Sequence, residues 1–108
     1  MAVRYLKKKG YTILQQNYRY KKAEVDIIAR IGTEIVFVEV KTRKNQQFGF
    51  PEEFVDAGKI NRLGLAAEEY LKDRTDVSVR FDLISILINR NYEIKHITDA
   101  FLPDRETF

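Results

Sequence analysis

Residues 24–42 read EVDIIARIGTEIVFVEVKT, and this segment contains two apolar runs that each carry a charged–apolar–charged triplet. In a β-strand, residues i and i+2 share a face, because successive side chains alternate between the two sides of the sheet. Glu24 and Asp26 are therefore predicted to lie on one face of the first strand, with Val25 and Ile27 on the other.

The second run predicts a partner strand with the same property. Glu39 and Lys41 are expected to share one face, while Val38 and Val40 occupy the opposite face. Gly32 lies between the runs, and glycine at the first central position of a two-residue turn is typical of a β-hairpin. The segment is therefore predicted to form a hairpin with charged residues grouped on one side.

The register of this hairpin suggests a chemical role. Centring the turn on Gly32 places Asp26 opposite Glu39 and Glu24 opposite Lys41. Like charges directly opposite destabilise a sheet, whereas a hard cation such as Mg²⁺ is held by one or two carboxylates. Lys41 would then orient or deprotonate a water, or stabilise charge on a phosphate. The alternative is an inert hairpin face with solvated Glu–Lys pairs.

Composition restricts the class of protein. A chain of 108 residues, 44% hydrophobic and 32% charged, is expected to form a single globular domain over residues 1–108. The absence of cysteine excludes disulfides and thiolate metal sites, and agrees with a cytoplasmic location. The longest apolar run, residues 83–88, is too short for a membrane span, and the charged N-terminus shows no signal peptide.

The charge is distributed unevenly along the chain. Residues 1–44 contain eleven Lys or Arg and four acids, whereas residues 45–108 contain eight and twelve. Three of the four early acids are Glu24, Asp26 and Glu39, so the candidate carboxylates lie in an otherwise basic half. This pattern favours a polyanionic partner such as nucleic acid, although an idle basic surface would look the same.

The remaining patterns predict the order α-β-β-β-α-β-β. They place a helix at 2–9, strands at 11–20, 24–31 and 34–42, and a polar loop to residue 50. A second helix is expected from Pro51 to about Lys72, followed by strands at 79–89 and 92–98 and a poorly ordered tail after Ala100. A long helix between the third and fourth strands implies a crossover, so an α/β fold with a mixed sheet is predicted.

With these elements in place, the whole chain resembles the YraN family, which belongs to the restriction-endonuclease-like PD-(D/E)XK superfamily and is similar to archaeal Holliday junction resolvases. The resemblance rests on scattered positions along the chain, namely Ala2, Tyr5-Leu6, Gly10-Tyr11, Ile13-Leu14, Asn17, Arg19, residues 24–29 and 37–43, Phe48-Gly49, Lys59, residues 80–82 and His96-Ile97.

The resemblance implies a metal-dependent DNA endonuclease using Mg²⁺ or Mn²⁺, with branched or flapped DNA among its candidate substrates. Asp26, Glu39 and the Val40 carbonyl would be metal ligands, Lys41 the activating lysine, and Glu24 an additional acid. Resolvase-like relatives also imply a homodimer. The chain departs from the family pattern at Ala23, where glycine is usual, and no proline precedes Asp26. The family's first helix carries a Gly-Glu pair before the position of Ala2, so this helix is expected to be truncated here.

His96 is expected to be a satisfied strand histidine, because no second histidine or serine partner for a general base is evident. Arg80 and Asp82 share a strand face and are expected to form a structural ion pair. The rival function is a non-catalytic nucleic-acid-binding or recruitment module that keeps a nuclease fold.

Cationic and amide side chains on strand ends, the following loop and the second helix are predicted to contact nucleic acid, namely Arg19, Lys21, Lys22, Arg43, Lys44, Gln46 and Lys59.

Overall fold

The computed structural model describes residues 1–44, 55–74 and 76–103. The elements follow the predicted order: α1 Ala2–Lys8, β1 Thr12–Tyr20, β2 Ala23–Ile31, β3 Glu34–Lys44, α2 Ala57–Leu71, β4 Ser78–Ile88 and β5 Tyr92–Ile97. The prediction of an α-β-β-β-α-β-β fold is therefore confirmed.

One mixed sheet organises the described chain, in the strand order β1-β2-β3-β4-β5. Among the five described strands, only β3 and β4 run parallel, because α2 forms the crossover between them, and the other neighbours are antiparallel. This is the mixed α/β arrangement that the sequence predicted, and it is consistent with a restriction-endonuclease-like fold. Neither helix in the described part of the chain has the length and hydropathy needed to cross a bilayer.

Each face of the sheet is covered by one helix. On the α2 face, Val25, Phe37 and Phe81 pack against the apolar side of α2, and the Phe37 and Phe81 rings stack 5.3 Å apart. On the α1 face, Leu6 packs in a cluster with β2, β3 and β4 that includes Ile84. The candidate site lies at the α2 face, next to the first turn of that helix.

The boundaries of two elements differ from the prediction. Helix α2 starts at Ala57, and Val55 and Asp56 precede it. The Asp56 side chain accepts a hydrogen bond from the Lys59 N–H at 3.0 Å, so an N-cap begins the helix here. The proposed start at Pro51 lies outside the described residues. Strand β3 continues to Lys44 because it pairs with β4 as far as Ile88, so the prediction of a loop there is wrong.

The segment after Ala100, predicted to be a poorly ordered tail, is described as far as Pro103. The Ala100 N–H donates to the Phe81 carbonyl at 2.7 Å, and the Phe101 ring lies 5.6 Å from that of Phe81. Pro103 is buried. Phe101 therefore packs on the α2-face core, whereas Leu102 is 65% exposed, and residues 104–108 of the predicted tail lie outside the described residues.

Candidate metal and phosphate site

The predicted hairpin register is confirmed over most of its length. Ile31 pairs with Glu34 and Ile27 with Val38, and Gly32 adopts the positive φ of 59° that the turn requires. The ladder then ends at Ile27. The direct pairing predicted for Asp26 with Glu39, and for Glu24 with Lys41, is therefore not formed.

The two strands separate because β2 is irregular at Asp26. Val25 packs on the α2 face and Ile27 on the α1 face, although strict alternation would place both on one side. Asn17, which faces Asp26 in the β1–β2 register, has a left-handed φ of 52°, a conformation that asparagine tolerates. The prediction that Val25 and Ile27 share a face is wrong for this reason.

Asp26 occupies the place where the hairpin ladder would have continued. Its Oδ2 accepts a hydrogen bond of 2.8 Å from the Val40 N–H. This bond satisfies a β3 donor that β2 no longer reaches, and it holds the carboxylate beside β3. The separation of the strands thus brings Asp26 towards Glu39 through its side chain.

Glu39 is the buried acid of the site. It is 3% exposed, lies on the α2 face, and has the Asp26 carboxyl group within hydrogen-bonding reach. The pKa of Glu39 is raised from 4.5 to about 7, chiefly by burial and also by the neighbouring Asp26 carboxyl group, whereas Lys59 opposes the change. The ionised form of Glu39 is therefore disfavoured unless a positive charge lies beside it.

Lys59 supplies part of that charge from α2. Its Nζ forms an ion pair with Glu39 Oε2, and 41% of the lysine side chain remains exposed. The N-cap at Asp56 fixes the Lys59 backbone in the first helical turn. Sequence analysis predicted a nucleic-acid contact for Lys59, and the structure places it on a candidate metal ligand.

A polar cleft of about 230 Å³ opens over the two acids. Its wall carries three cations, Lys22 from the β1–β2 turn and Lys59 and Arg62 from α2. Glu24 also lines the cleft, and it forms an ion pair of 3.1 Å with Arg19. An anion entering this cleft would meet cations above the acidic pair.

Lys41 lies one step beyond Glu39 on the same strand face. It is half-buried and pairs in register with Ser85 of β4. Ser85 in turn pairs with Lys95 of β5. Lys41 does not line the 230 Å³ cleft, so the four charged residues that the hairpin was predicted to group on one side are assembled in two parts. Glu24, Asp26 and Glu39 share the cleft, and Lys41 flanks it.

The other predicted nucleic-acid residues fall into two places. Lys21 lies over the Tyr20 ring at 5.3 Å, near the cleft edge marked by Lys22. Arg43 and Lys44 are exposed at the end of β3, beyond Lys41. Gln46 lies outside the described residues.

A second polar cluster is buried under the opposite face. Asp82 is fully buried and accepts hydrogen bonds from Arg80, the Asp99 N–H and His96 Nε2, the last at 2.7 Å. Burial alone would raise the pKa of Asp82, but the bonds from His96 and Arg80 hold it below 3.8. In the neutral imidazole, His96 Nδ1 accepts from the Tyr5 hydroxyl at 3.1 Å. The ion pair predicted from the sequence for Arg80 and Asp82 is confirmed, and both ring nitrogens of His96 are hydrogen-bonded.

Sequence reasoning did not assign Arg62 a role in the site. Its spacing of three residues from Lys59 places both side chains on one side of α2, but such a spacing is equally typical of a solvated helix face. Asn17 was also without a role, since nothing in the sequence shows its left-handed backbone. Among the described residues, no three acidic, histidine or cysteine side chains are grouped to hold a metal ion.

Comparison with known proteins identifies relatives along nearly the whole chain. A family profile described as "Uncharacterised protein family UPF0102" matches residues 1–86. A UPF0102 protein of Christiangramia forsetii is 48% identical over 103 residues, covering 94% of this chain and 87% of the relative. One of Bacteroides thetaiotaomicron is 48% identical over 104 residues, covering 94% and 86%. These names state a family and no activity.

Proposed function

We propose a function from one premise: the chain belongs to the uncharacterised protein family UPF0102, the YraN family. We propose that it is a Mg²⁺- or Mn²⁺-dependent phosphodiesterase that acts on DNA. The observation that carries this proposal is the adjacent pair Asp26 and Glu39, one of them buried, beneath a cleft with three cations. Branched or flapped substrates and a homodimer remain predictions from the resemblance.

The donor atoms suit a hard divalent cation. Asp26 and Glu39 supply only oxygen atoms, and the burial of Glu39 beside Asp26 disfavours its ionised form, which a bound cation would favour. Mg²⁺ commonly takes one or two carboxylates and retains waters, so a cluster of three acids is not required. Asp26, Glu39 and the Val40 carbonyl would hold the ion. When bound, such an ion supplies charge stabilisation at a phosphate and activation of water.

The chain's own residues would perform the remaining work. Asp26 is already oriented by the Val40 N–H, so one acid is positioned before any ligand arrives. Lys41, on the same face as Glu39, would transfer a proton or stabilise negative charge on the phosphate. Lys22 and Arg62 would bind substrate phosphates at the wall of the cleft.

A second candidate function is a DNA-binding module without catalysis. It is favoured by Lys59, which already neutralises Glu39 without a metal ion. Such a module would use the same basic half and need no cation.

A cleavage experiment distinguishes the nuclease from the binding module. The protein is incubated with linear, flap, fork and four-way DNA in Mg²⁺ or Mn²⁺, and single-turnover rates are measured for the parent and for Lys41→Met. Loss of a positioned acid–base or charge-stabilising group should lower the rate by about 100-fold or more. Lys95→Met makes the same chemical change two strands away on the same face, and its rate should stay within about threefold of the parent.

Two outcomes would contradict the nuclease. If the parent protein cuts none of these substrates with either cation, the nuclease is contradicted and the binding module is the function that remains. Lys41→Met cutting as fast as the parent would remove the proposed role of this lysine and the catalytic assignment that depends on it.

A further inference from the structure

Lys59 occupies an unusual position for a lysine. It lies in the first turn of α2, where the helix dipole favours anions and disfavours cations. Its backbone N–H is held by the Asp56 cap, while its side chain reaches across to Glu39. The unfavourable interaction of the Lys59 ammonium group with the helix dipole is offset by its ion pair with the Glu39 carboxylate of β3.

The same side chain also faces the cleft. Lys59 is 41% exposed, in contrast to the 3% of Glu39, so its ammonium group has room to move without unpacking the core. Lys22 and Arg62 line the cleft beside it. A phosphate bound between Lys22 and Arg62 would offer Lys59 an anionic partner other than Glu39.

We infer that Lys59 exchanges partners, binding Glu39 in the cation-free protein and a substrate phosphate once a divalent cation takes Glu39. The inference rests on the proposed function, because it requires a cation at Asp26 and Glu39. A divalent ion on the Glu39 carboxylate removes the anion that holds Lys59 and repels its ammonium group. The released lysine then meets the phosphate that enters the cleft.

This exchange couples the two ligands. In the absence of a cation, Lys59 is occupied by Glu39 and contributes little to DNA affinity. In its presence, one additional phosphate contact becomes available, which is worth roughly fivefold to tenfold in affinity at about 0.1 M salt. Linkage requires the reciprocal effect, so bound DNA should strengthen cation binding by the same factor.

The experiment compares Lys59→Met with Arg62→Met, a matched control one turn along the same cleft wall. Binding of a fluorescent four-way DNA is followed by anisotropy with and without Mn²⁺, in the Lys41→Met background so that the DNA stays intact. Mn²⁺ affinity is measured separately by calorimetry. Lys59→Gln, which keeps a hydrogen-bond donor towards Glu39 without the charge, is used alongside in case Lys59→Met folds poorly.

The expected results differ between the two positions. Lys59→Met should leave cation-free DNA affinity unchanged, reduce the gain caused by Mn²⁺ by roughly fivefold to tenfold, and bind Mn²⁺ a few times more tightly because no lysine competes. Arg62→Met should weaken DNA binding equally with and without Mn²⁺. Lys59→Gln should behave as Lys59→Met does.

Other results overturn the exchange. Equal weakening of DNA binding with and without Mn²⁺ in Lys59→Met would make Lys59 an ordinary phosphate contact, with the metal site intact. Weaker Mn²⁺ binding in that variant would make Lys59 an organiser of the acids. A background protein that binds no Mn²⁺ at all would instead contradict the proposed function itself.

Discussion

Replacing Glu39 with glutamine should change how stability depends on pH. Glu39 is 3% exposed, and burial beside Asp26 raises its pKa from 4.5 to about 7. The folded protein therefore binds more protons than the unfolded chain between these two values. Under that condition the free energy of unfolding falls as pH rises. Glu39→Gln cannot ionise, so this fall should disappear in the variant.

The size of the effect follows from the two pKa values. Each tenfold difference in proton affinity corresponds to about 1.4 kcal/mol, so the ionised Glu39 carboxylate destabilises the cation-free protein by about 3 kcal/mol above neutral pH. Glu39→Gln should match the parent at about pH 4 and exceed its unfolding free energy by about 3 kcal/mol at about pH 8.

The assay is urea unfolding with a chelator present, repeated across this pH range. Glu68→Gln, an exposed acid on α2, is the control and should follow the parent at every pH. Parallel curves for the parent and Glu39→Gln would refute the reasoning, because they would mean that Glu39 titrates alike in the folded and unfolded chains.

Two further perturbations test other parts of the molecule. Replacing Arg43 and Lys44 with alanine should reduce the slope of log affinity for DNA against log salt by about one for each lost phosphate contact. Lys72→Ala, at the far end of α2, should leave that slope unchanged, and a flat salt dependence in the parent would point to a protein partner. Asp82→Asn should cost about 3 kcal/mol in urea unfolding near neutral pH, because Arg80 and His96 lose a buried partner. Since the pKa of Asp82 is lowered on folding, its stabilisation is present above pH 3.8 and lost as pH falls through the folded value, and a loss under about 1 kcal/mol would contradict the assignment.

Local patterns were sufficient to predict the sheet. Alternation in residues 24–42 and the glycine at the turn led to the hairpin register, and the register holds from Ile27 to Ile31. The crossover through α2 predicted the parallel pair of β3 and β4. These features depend on residues close in sequence, where a period of two and a turn residue leave few alternatives.

The details of the site depend on contacts that sequence spacing does not encode. The hairpin prediction assumed regular alternation, so it missed the separation of β2 from β3 at Asp26 and the left-handed Asn17 opposite it. The ion pair of Glu39 with Lys59 joins a strand to a helix, and it depends on where α2 begins. The Asp56 cap sets the start of α2 at Ala57, whereas the proline at position 51 favoured an earlier start.

The most direct test of the central claim is calorimetric titration of Mn²⁺ into the parent protein and into Asp26→Asn. If Asp26 and Glu39 share one cation, the parent should bind one Mn²⁺ per chain and Asp26→Asn should show no binding heat at that site. Asp73→Asn, which removes an exposed acid just after α2, should bind as the parent does. Unchanged Mn²⁺ binding in Asp26→Asn would contradict the assignment of this site.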